Sequence, residues 1–313
     1  MNLQNNPIQR QAHLKPIDLD SLLSNTEAFL NTMYYVKTDQ FALVPRKEHI
    51  ATCINYSDLI EMRDEFVNEL VSTIIQYVYS TEKQNKLLQQ FTAQGRDISA
   101  AYMKIRKLAQ SKFRQTDLKG QFSELLLYNL LQYHFKAVPI LRKMPITTNP
   151  NLERNGADAL HIALENGKYV IYLGEAKTYD RKSYGLNQAL RDSLSSIVEH
   201  YNAHRKELNL YIYEDFLPKE LESIAEAYLQ GSLNLEVRLI CMVTYDNKNS
   251  LTGSNREELI ESTIQSIQKD IKSINIQSYD ALPKYLYPRI SYIIFPVNKL
   301  NDLLTDFKKE LGV

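Results

Sequence analysis

The sequence predicts a mixed α/β (α+β) fold, in which helices flank a mixed β-sheet and a mainly helical extension precedes it. From residue 117 onward, helical and strand-like patterns alternate, and Asn166-Gly167 forms a strong two-residue hairpin signal between two strand patterns. Before residue 95, the longest periodic patterns are helical. We therefore expect an N-terminal region at 1–95, mostly helical with short strands, and a larger sheet-containing domain at 96–313.

The N-terminal region mixes short β-like runs at 33–56 with turns and then becomes helical. Ser57 is a candidate N-cap for a helix that extends to about Tyr79. Apolar residues recur there at helical spacing: Leu59, Met62, Phe66 and Leu70. A second, polar helix is predicted at 81–93, and Gly95 marks the expected boundary.

The same periodicity predicts the elements of the larger domain. Helices are predicted at 98–115, 117–134, 184–205, 218–229, 255–274 and 298–311. Strands are predicted at 137–144, 157–164, 168–177, 235–245 and 289–297. The helix at 117–134 is apolar on most sides, so we expect it to be mostly buried. This helix, three strands, the next helix and a further strand match the αβββαβ core of restriction-endonuclease-like nucleases, although element order alone says little about function.

Composition narrows the class of protein. The chain has 313 residues with 37 basic and 37 acidic side chains, so its net charge is zero. Neutrality disfavours a strongly basic stand-alone DNA binder but leaves open an enzyme or a subunit that acts on DNA. Cys53 and Cys241 lie far apart and form no CxxC motif, so neither a structural zinc site nor a disulfide framework is expected. The N-terminus is polar and no apolar run approaches the roughly 20 residues of a membrane span, so we expect a cytoplasmic protein without membrane contact.

The segment YVIYLGEAKTYD at 169–180 places an acidic and a basic side chain, Glu175 and Lys177, at the end of an otherwise apolar strand. Side chains alternate along a strand, so Glu175 and Lys177 lie on one face. Counted from the Asn166-Gly167 turn, Asp158 precedes it by as many residues as Glu175 follows it. The hairpin therefore predicts that Asp158 and Glu175 lie almost opposite each other, with Cβ atoms about 4.5–5.5 Å apart.

Two carboxylates this close repel each other unless a cation or a proton lies between them. Hard divalent ions prefer carboxylate oxygens, so Asp158 and Glu175 are candidate ligands of Mg²⁺ or Mn²⁺. Lys177 is then a candidate to position a water and to stabilise charge on a phosphate. Glu175-Ala176-Lys177 is the only E-x-K triplet in the chain, but short motifs often occur by chance. The alternative is a plain surface ion pair at a strand end.

Two further polar residues belong to helices beside these strands. Glu124 heads an otherwise apolar stripe, which is unusual for a carboxylate without a partner or a role, so it is a candidate catalytic residue. The alternative is the exposed edge of a partly buried helix. Gln188 is a candidate substrate contact on the helix after the strand, or else an ordinary polar helix position.

Histidines and basic residues give weaker signals. His161 alternates to the face opposite Asp158, which favours a packed histidine, and the pair His200 and His204 lacks an evident third zinc ligand. Residues 96–119 carry seven basic and two acidic side chains. Lys104, Lys107 and Arg114 are therefore candidates for contact with DNA or a protein partner, the alternative being a solvated helix face.

Several segments together resemble a known family: Lys143-Met144, Gly156-Ala157-Asp158 with His161 behind it, and Gly174-Glu175-Ala176-Lys177 followed by Tyr179. They look like the nuclease subunit of the Hachiman antiphage defence system, the HamA family, which itself resembles PD-(D/E)xK nucleases. The likeness is clearest from about 117 to 200. Ala157 stands where the PD-(D/E)xK motif has proline, which weakens the sequence signal.

The resemblance implies a Mg²⁺-dependent (or Mn²⁺-dependent) DNase domain at 96–313, with Asp158, Glu175 and Lys177 as the catalytic triad and Glu124 as a less secure fourth member. It also implies a partner, a superfamily 2 helicase (HamB), which handles DNA and controls the nuclease. Two alternatives stay open: a catalytically inactive adaptor that docks the helicase, and an RNase with the same chemistry. An adaptor is expected to have lost a core residue, and all three are present.

Overall fold

A computed structural model describes residues 17–114, 118–140, 142, 156–179, 185–211, 219–233 and 235–312. Ten α-helices lie within these ranges: α1 Glu27–Asn31, α2 Arg63–Ser72, α3 Ile74–Val78, α4 Thr81–Ala93, α5 Ile98–Gln110, α6 Leu118–Phe135, α7 Gly185–Tyr211, α8 Lys219–Leu229, α9 Arg256–Lys272 and α10 Leu300–Leu311. Nine strands accompany them in the same ranges: β1 Met33–Thr38, β2 His49–Ile54, β3 Tyr56–Ser57, β4 Ile60–Glu61, β5 Val138–Pro139, β6 Ala159–Glu165, β7 Lys168–Tyr179, β8 Glu236–Asp246 and β9 Ile290–Val297.

Seven strands form one mixed sheet in the order β1-β2-β9-β8-β7-β6-β5. The strands β2, β9, β8 and β7 run parallel, whereas β1, β6 and β5 join their neighbours antiparallel. Helix α6 packs on one face of β7 and α7 packs on the other, so both faces of the central strands are covered. The predicted mixed α/β fold with flanking helices is therefore confirmed.

The hairpin of β6 and β7 follows the predicted register. Asn166 and Gly167 both have positive φ, at 49° and 75°, as a tight hairpin turn requires. The strands pair from Glu165 opposite Lys168 to Ala159 opposite Gly174. Gly174 also allows α6 to approach β7 closely, because a Cβ at this position would lie 2.8 Å from the Leu127 side chain.

The helix predicted from Ser57 to about Tyr79 differs from the structure, which has two helices there, α2 and α3, separated at Thr73. The predicted helix from Ser57 is wrong at its start, because Ser57 belongs to β3 and the helix begins at Arg63. Asp58 has a φ of 54° in the turn between β3 and β4, a left-handed conformation that a continuing helix excludes. β2 pairs with β9, so strands from both sides of residue 95 share one sheet, while the division into 1–95 and 96–313 stays a prediction.

Other predicted boundaries lie close to those observed, with three exceptions. The helix predicted at 184–205 continues to Tyr211. The helix predicted at 98–115 ends at Gln110, so Arg114 lies beyond it. The strand predicted at 137–144 is reduced to β5, and Lys143-Met144 lies outside the described residues. None of the helices in the described ranges is both long and apolar enough to cross a membrane.

Candidate functional site

The site lies where the hairpin of β6 and β7 ends. Asp158 stands one residue before β6, opposite Glu175, and its Oδ2 accepts a hydrogen bond from the backbone N–H of Ala176 at 2.9 Å. The Asp158 carboxylate thus accepts a hydrogen bond from β7 just beyond the last backbone pair of β6 and β7. Asp158 is half-buried, so it is accessible from solvent at this end of the sheet.

Glu175 is buried, with only 2% of its surface exposed. Its Oε1 lies 2.8 Å from the Lys177 ammonium, whose side chain is 31% exposed. The pair is therefore not the surface ion pair that the sequence left open, and the three residues do not share one fully exposed cleft. They do converge, because the charge of Asp158 acts on both Glu175 and Lys177.

Burial and charge shift the protonation of both groups. Burial raises the pKa of the Glu175 carboxyl to about 7, and the nearby Asp158 charge adds to this effect while Lys177 and His200 oppose it. Burial alone would lower the pKa of Lys177, but Glu175 and Asp158 raise it above its usual value. Lys177 is consequently an ammonium ion at neutral pH, and Glu175 is a carboxyl poised between its two forms.

The residues fit a hard cation rather than a zinc ion. Burial and the neighbouring Asp158 charge both disfavour the charged form of Glu175, and a hard cation would relieve this excess of negative charge. Across those ranges, no three His, Cys, Asp or Glu side chains are grouped to hold one ion, which disfavours a structural zinc site. Mg²⁺ commonly takes one or two carboxylates and completes its shell with water and phosphate, so Asp158 and Glu175 suffice for it.

Glu124 is half-buried on α6 and accepts a hydrogen bond from the Tyr77 hydroxyl at 3.0 Å. It lines a narrow cleft of about 20 Å³ together with Asp158 and the buried Arg142. This volume has room for about one water molecule. The cleft therefore connects Glu124 to the hairpin through Asp158.

Gln188 lies on α7 beside the end of β7. Its amide donates a hydrogen bond to Asp192 Oδ1 at 2.7 Å, and the Tyr179 hydroxyl donates to the other oxygen of Asp192. Tyr179 in turn lies near enough to Lys177 to influence its pKa. Gln188 thus belongs to a hydrogen-bonded group at the rim of the site, although its own amide is already engaged by Asp192.

Arg114 is separated from the other two basic candidates, Lys104 and Lys107. Lys104 and Lys107 are exposed on α5, whereas Arg114 is half-buried after the end of that helix, where its backbone N–H donates to Gln121. A helix over 98–115 would have placed all three on one face, but Arg114 does not join the other two because α5 ends at Gln110. Lys104 and Lys107 remain together on a solvent-facing helix surface.

His200 is the site residue that sequence reasoning missed. Its Nε2 lies 3.6 Å from Glu175 Oε2, whereas Lys177 contacts Oε1. The sequence does contain a signal for His200, because this residue continues at helical spacing a stripe of buried α7 positions: Leu186, Leu190, Ser193 and Ile197. His161, by contrast, is packed as predicted, with Nδ1–H donating to the Ala137 carbonyl.

A larger cavity, of about 730 Å³, lies between α1, β1 and the C-terminal end of α6. None of the candidate residues described above lines it, and Glu27 is its single acidic neighbour. It lacks the paired carboxylates that the hairpin end provides. Volume alone therefore does not select it as the site of phosphodiester chemistry.

Comparison with known proteins agrees with the resemblance seen in the sequence. No curated protein is significantly similar to the chain. A comparison with protein-family models matches residues 28–311 to the HamA family, a range that includes the sheet, α6, α7 and all the candidate residues. The chain therefore belongs to the HamA family, and this membership fits a protein of the Hachiman antiphage defence system.

Proposed function

We propose that the chain is the nuclease subunit of a bacterial antiphage complex and hydrolyses DNA phosphodiester bonds with Mg²⁺ or Mn²⁺. The observation that carries this proposal is the convergence of Asp158, Glu175 and Lys177 at the end of one hairpin. A buried carboxyl beside a second carboxylate and an ammonium is costly for stability, and groups perturbed in this way cluster at functional sites.

Asp158 and Glu175 are the residues that would hold the ion. When bound, a divalent cation supplies positive charge to the phosphate and lowers the pKa of its water. Glu124 supports this arrangement from α6, because it shares the narrow cleft with Asp158. Its hydrogen bond from Tyr77 keeps the carboxylate oriented.

Lys177 acts as a positioning and charge-stabilising group. Its raised pKa keeps it protonated, so it donates hydrogen bonds instead of accepting a proton. The ammonium holds a water or a phosphate oxygen near the two carboxylates. It also stabilises the negative charge that develops on the phosphate in the transition state.

Substrate and partner contacts complete the proposal. Gln188 lies at the rim of the site for contact with DNA, and Lys104, Lys107 and Arg114 contact either DNA phosphates or the protein partner. That partner is a superfamily 2 helicase (HamB), which fits a neutral nuclease chain because the helicase supplies most phosphate contacts.

The test is a cleavage assay on the purified chain, alone and with its co-produced helicase. Supercoiled, linear and single-stranded DNA and a single-stranded RNA are each incubated with Mg²⁺, with Mn²⁺ and with EDTA. Lys177→Ala is compared with the matched control Lys168→Ala, an exposed lysine on the same strand. We expect metal-dependent DNA cleavage, a loss of about 10²–10³ in rate for Lys177→Ala with metal binding retained, and no change for the control.

Each other outcome refutes a specific part of the proposal. Cleavage in EDTA excludes the metal role of Asp158 and Glu175. A wild-type rate for Lys177→Ala excludes the catalytic role of that lysine. Cleavage of RNA alone favours the RNase alternative, and helicase binding without any cleavage favours the inactive adaptor.

A further inference from the structure

The two oxygens of the Glu175 carboxylate have different surroundings. Oε1 meets the Lys177 ammonium at 2.8 Å, whereas Oε2 is buried and accepts no hydrogen bond within the described residues. The His200 ring lies beside Oε2, with Nε2 at 3.6 Å. The His200 side chain is 18% exposed, so it closes the buried side of the carboxylate while Lys177 occupies the open side.

The packing of α7 explains why a histidine reaches this point. Helix α7 covers β7 and β8 with a buried stripe of apolar and small residues. His200 follows Ile197 in that stripe and faces the sheet where β7 presents Glu175 instead of an apolar side chain. His204, one turn further, faces α8 instead, where its ring is 2.6 Å from the Tyr228 hydroxyl.

We propose that His200 is a positioning residue, which fixes the Glu175 carboxylate so that Oε1 points toward Lys177 and Asp158. This inference rests on the proposed metal-dependent function. A carboxylate held by Lys177 alone would be free to rotate about its last bond once a cation competes with the ammonium for Oε1. An imidazole against Oε2 hinders that rotation from the buried side and offers an N–H to the second oxygen.

The expected effect follows from how ligand carboxylates are supported in metal proteins. Removing a residue that orients a metal ligand typically lowers metal affinity by about 10–100-fold. Lys177 contacts Glu175 Oε1 and Asp158 accepts the Ala176 N–H, and neither of these two contacts involves His200. We therefore expect a His200 variant to bind the ion more weakly while Asp158, Glu175 and Lys177 are all still present.

The experiment measures Mn²⁺ binding to the full-length chain by the electron paramagnetic resonance signal of the free ion. His200→Phe keeps the ring volume but removes the N–H, whereas His200→Gln keeps a donor at a similar reach. We expect His200→Phe to bind Mn²⁺ about 10–100-fold more weakly and His200→Gln to recover most of that loss. His204→Gln is the matched control on the same helix and is expected to bind Mn²⁺ like the wild type.

Thermal unfolding without metal accompanies each titration, because a purely structural role would lower stability in both His200 variants and leave the Mn²⁺ affinity of the folded protein unchanged. If His200→Phe binds Mn²⁺ like the wild type while Glu175→Gln loses it, the inference about His200 is overturned and the proposed function stands. If the wild type binds neither Mn²⁺ nor Mg²⁺, both are overturned.

Discussion

Replacing Glu175 with glutamine tests whether its carboxylate serves to bind a cation or to stabilise the fold. Glutamine has nearly the same shape, and its carbonyl oxygen can still accept a hydrogen bond from Lys177. The substitution removes the buried negative charge that lies beside Asp158 and replaces one carboxylate oxygen by an amide NH2. If this charge exists to bind a cation, the metal-free protein should become more stable without it, because function and stability then oppose each other at this position.

The expected gain in stability depends on pH. Moving the carboxyl pKa from its ordinary value of 4.5 to about 7 corresponds to about 3 kcal/mol of penalty on the charged form. Between these two values the folded protein holds a proton that the unfolded chain has released, so stability falls as pH rises. Glu175→Gln should therefore raise the unfolding free energy by up to about 3 kcal/mol at pH 8 and by less than about 1 kcal/mol at pH 5.

The assay is urea denaturation followed by circular dichroism, at pH 5 and pH 8, with EDTA present. Glu236→Gln serves as the control, because a hydrogen bond from Arg238 lowers the pKa of the Glu236 carboxyl and so favours its charged form. This control should not gain stability at pH 8. Adding Mg²⁺ should stabilise the wild type at pH 8 and leave Glu175→Gln unaffected.

A loss of stability in Glu175→Gln at pH 8 would refute the reasoning. That result would mean that the ion pair with Lys177 stabilises the fold, as in the structural alternative. An equal gain at both pH values would also contradict it, since the penalty would then not come from the charge.

Three further predictions concern the surroundings of the site. Gly174→Ala should lower the unfolding free energy by about 1–3 kcal/mol in urea denaturation, because its Cβ would lie 2.8 Å from the Leu127 side chain. Burial lowers the pKa of His161 to about 3, so the unfolded chain binds an extra proton below about pH 6.5 and stability falls as pH falls. In His161→Gln the unfolding free energy should fall less steeply as pH falls, by at most about 1.4 kcal/mol per pH unit. The measurement is urea denaturation of both proteins below pH 6.5, and equal slopes for the variant and the wild type would contradict the prediction. Reversing the charges of Lys104 and Lys107 should weaken DNA binding and reduce the salt slope by about 2 if both contact phosphates, and unchanged binding of DNA and helicase would leave only a solvated face.

Local patterns predicted the core of the site because the hairpin is a local structure. A two-residue turn fixes the register of both strands, so the position of Asp158 relative to Glu175 follows from counting. The helix α4 matches its predicted range of 81–93 because its N-cap, Ser80, and its exposed polar face are also local features.

The parts that failed depend on contacts between distant segments or on backbone conformation. Leu59 was predicted to begin an apolar helical stripe, but it is exposed in the turn between β3 and β4. The pairing of β2 with β9 joins segments that are more than 200 residues apart, and no local periodicity encodes it. His200 was visible as a histidine at helical spacing, but its approach to Glu175 depends on how α7 packs across the sheet.

Asp158 lies between the residues of β7, Glu175 and Lys177, and Glu124 of α6. Its hydrogen bond to the backbone explains this position. Because Oδ2 accepts the N–H of Ala176, the carboxylate is held at the end of the β6–β7 ladder instead of turning into solvent. From that position its charge acts on Glu175 and Lys177, and the residue also lines the cleft that contains Glu124. This hydrogen bond to the strand thus places the Asp158 carboxylate beside Glu175 of β7 and on the wall of the cleft that also contains Glu124 of α6. The adjacent charges of Asp158 and Glu175 repel each other, and the proposed divalent cation would relieve that repulsion.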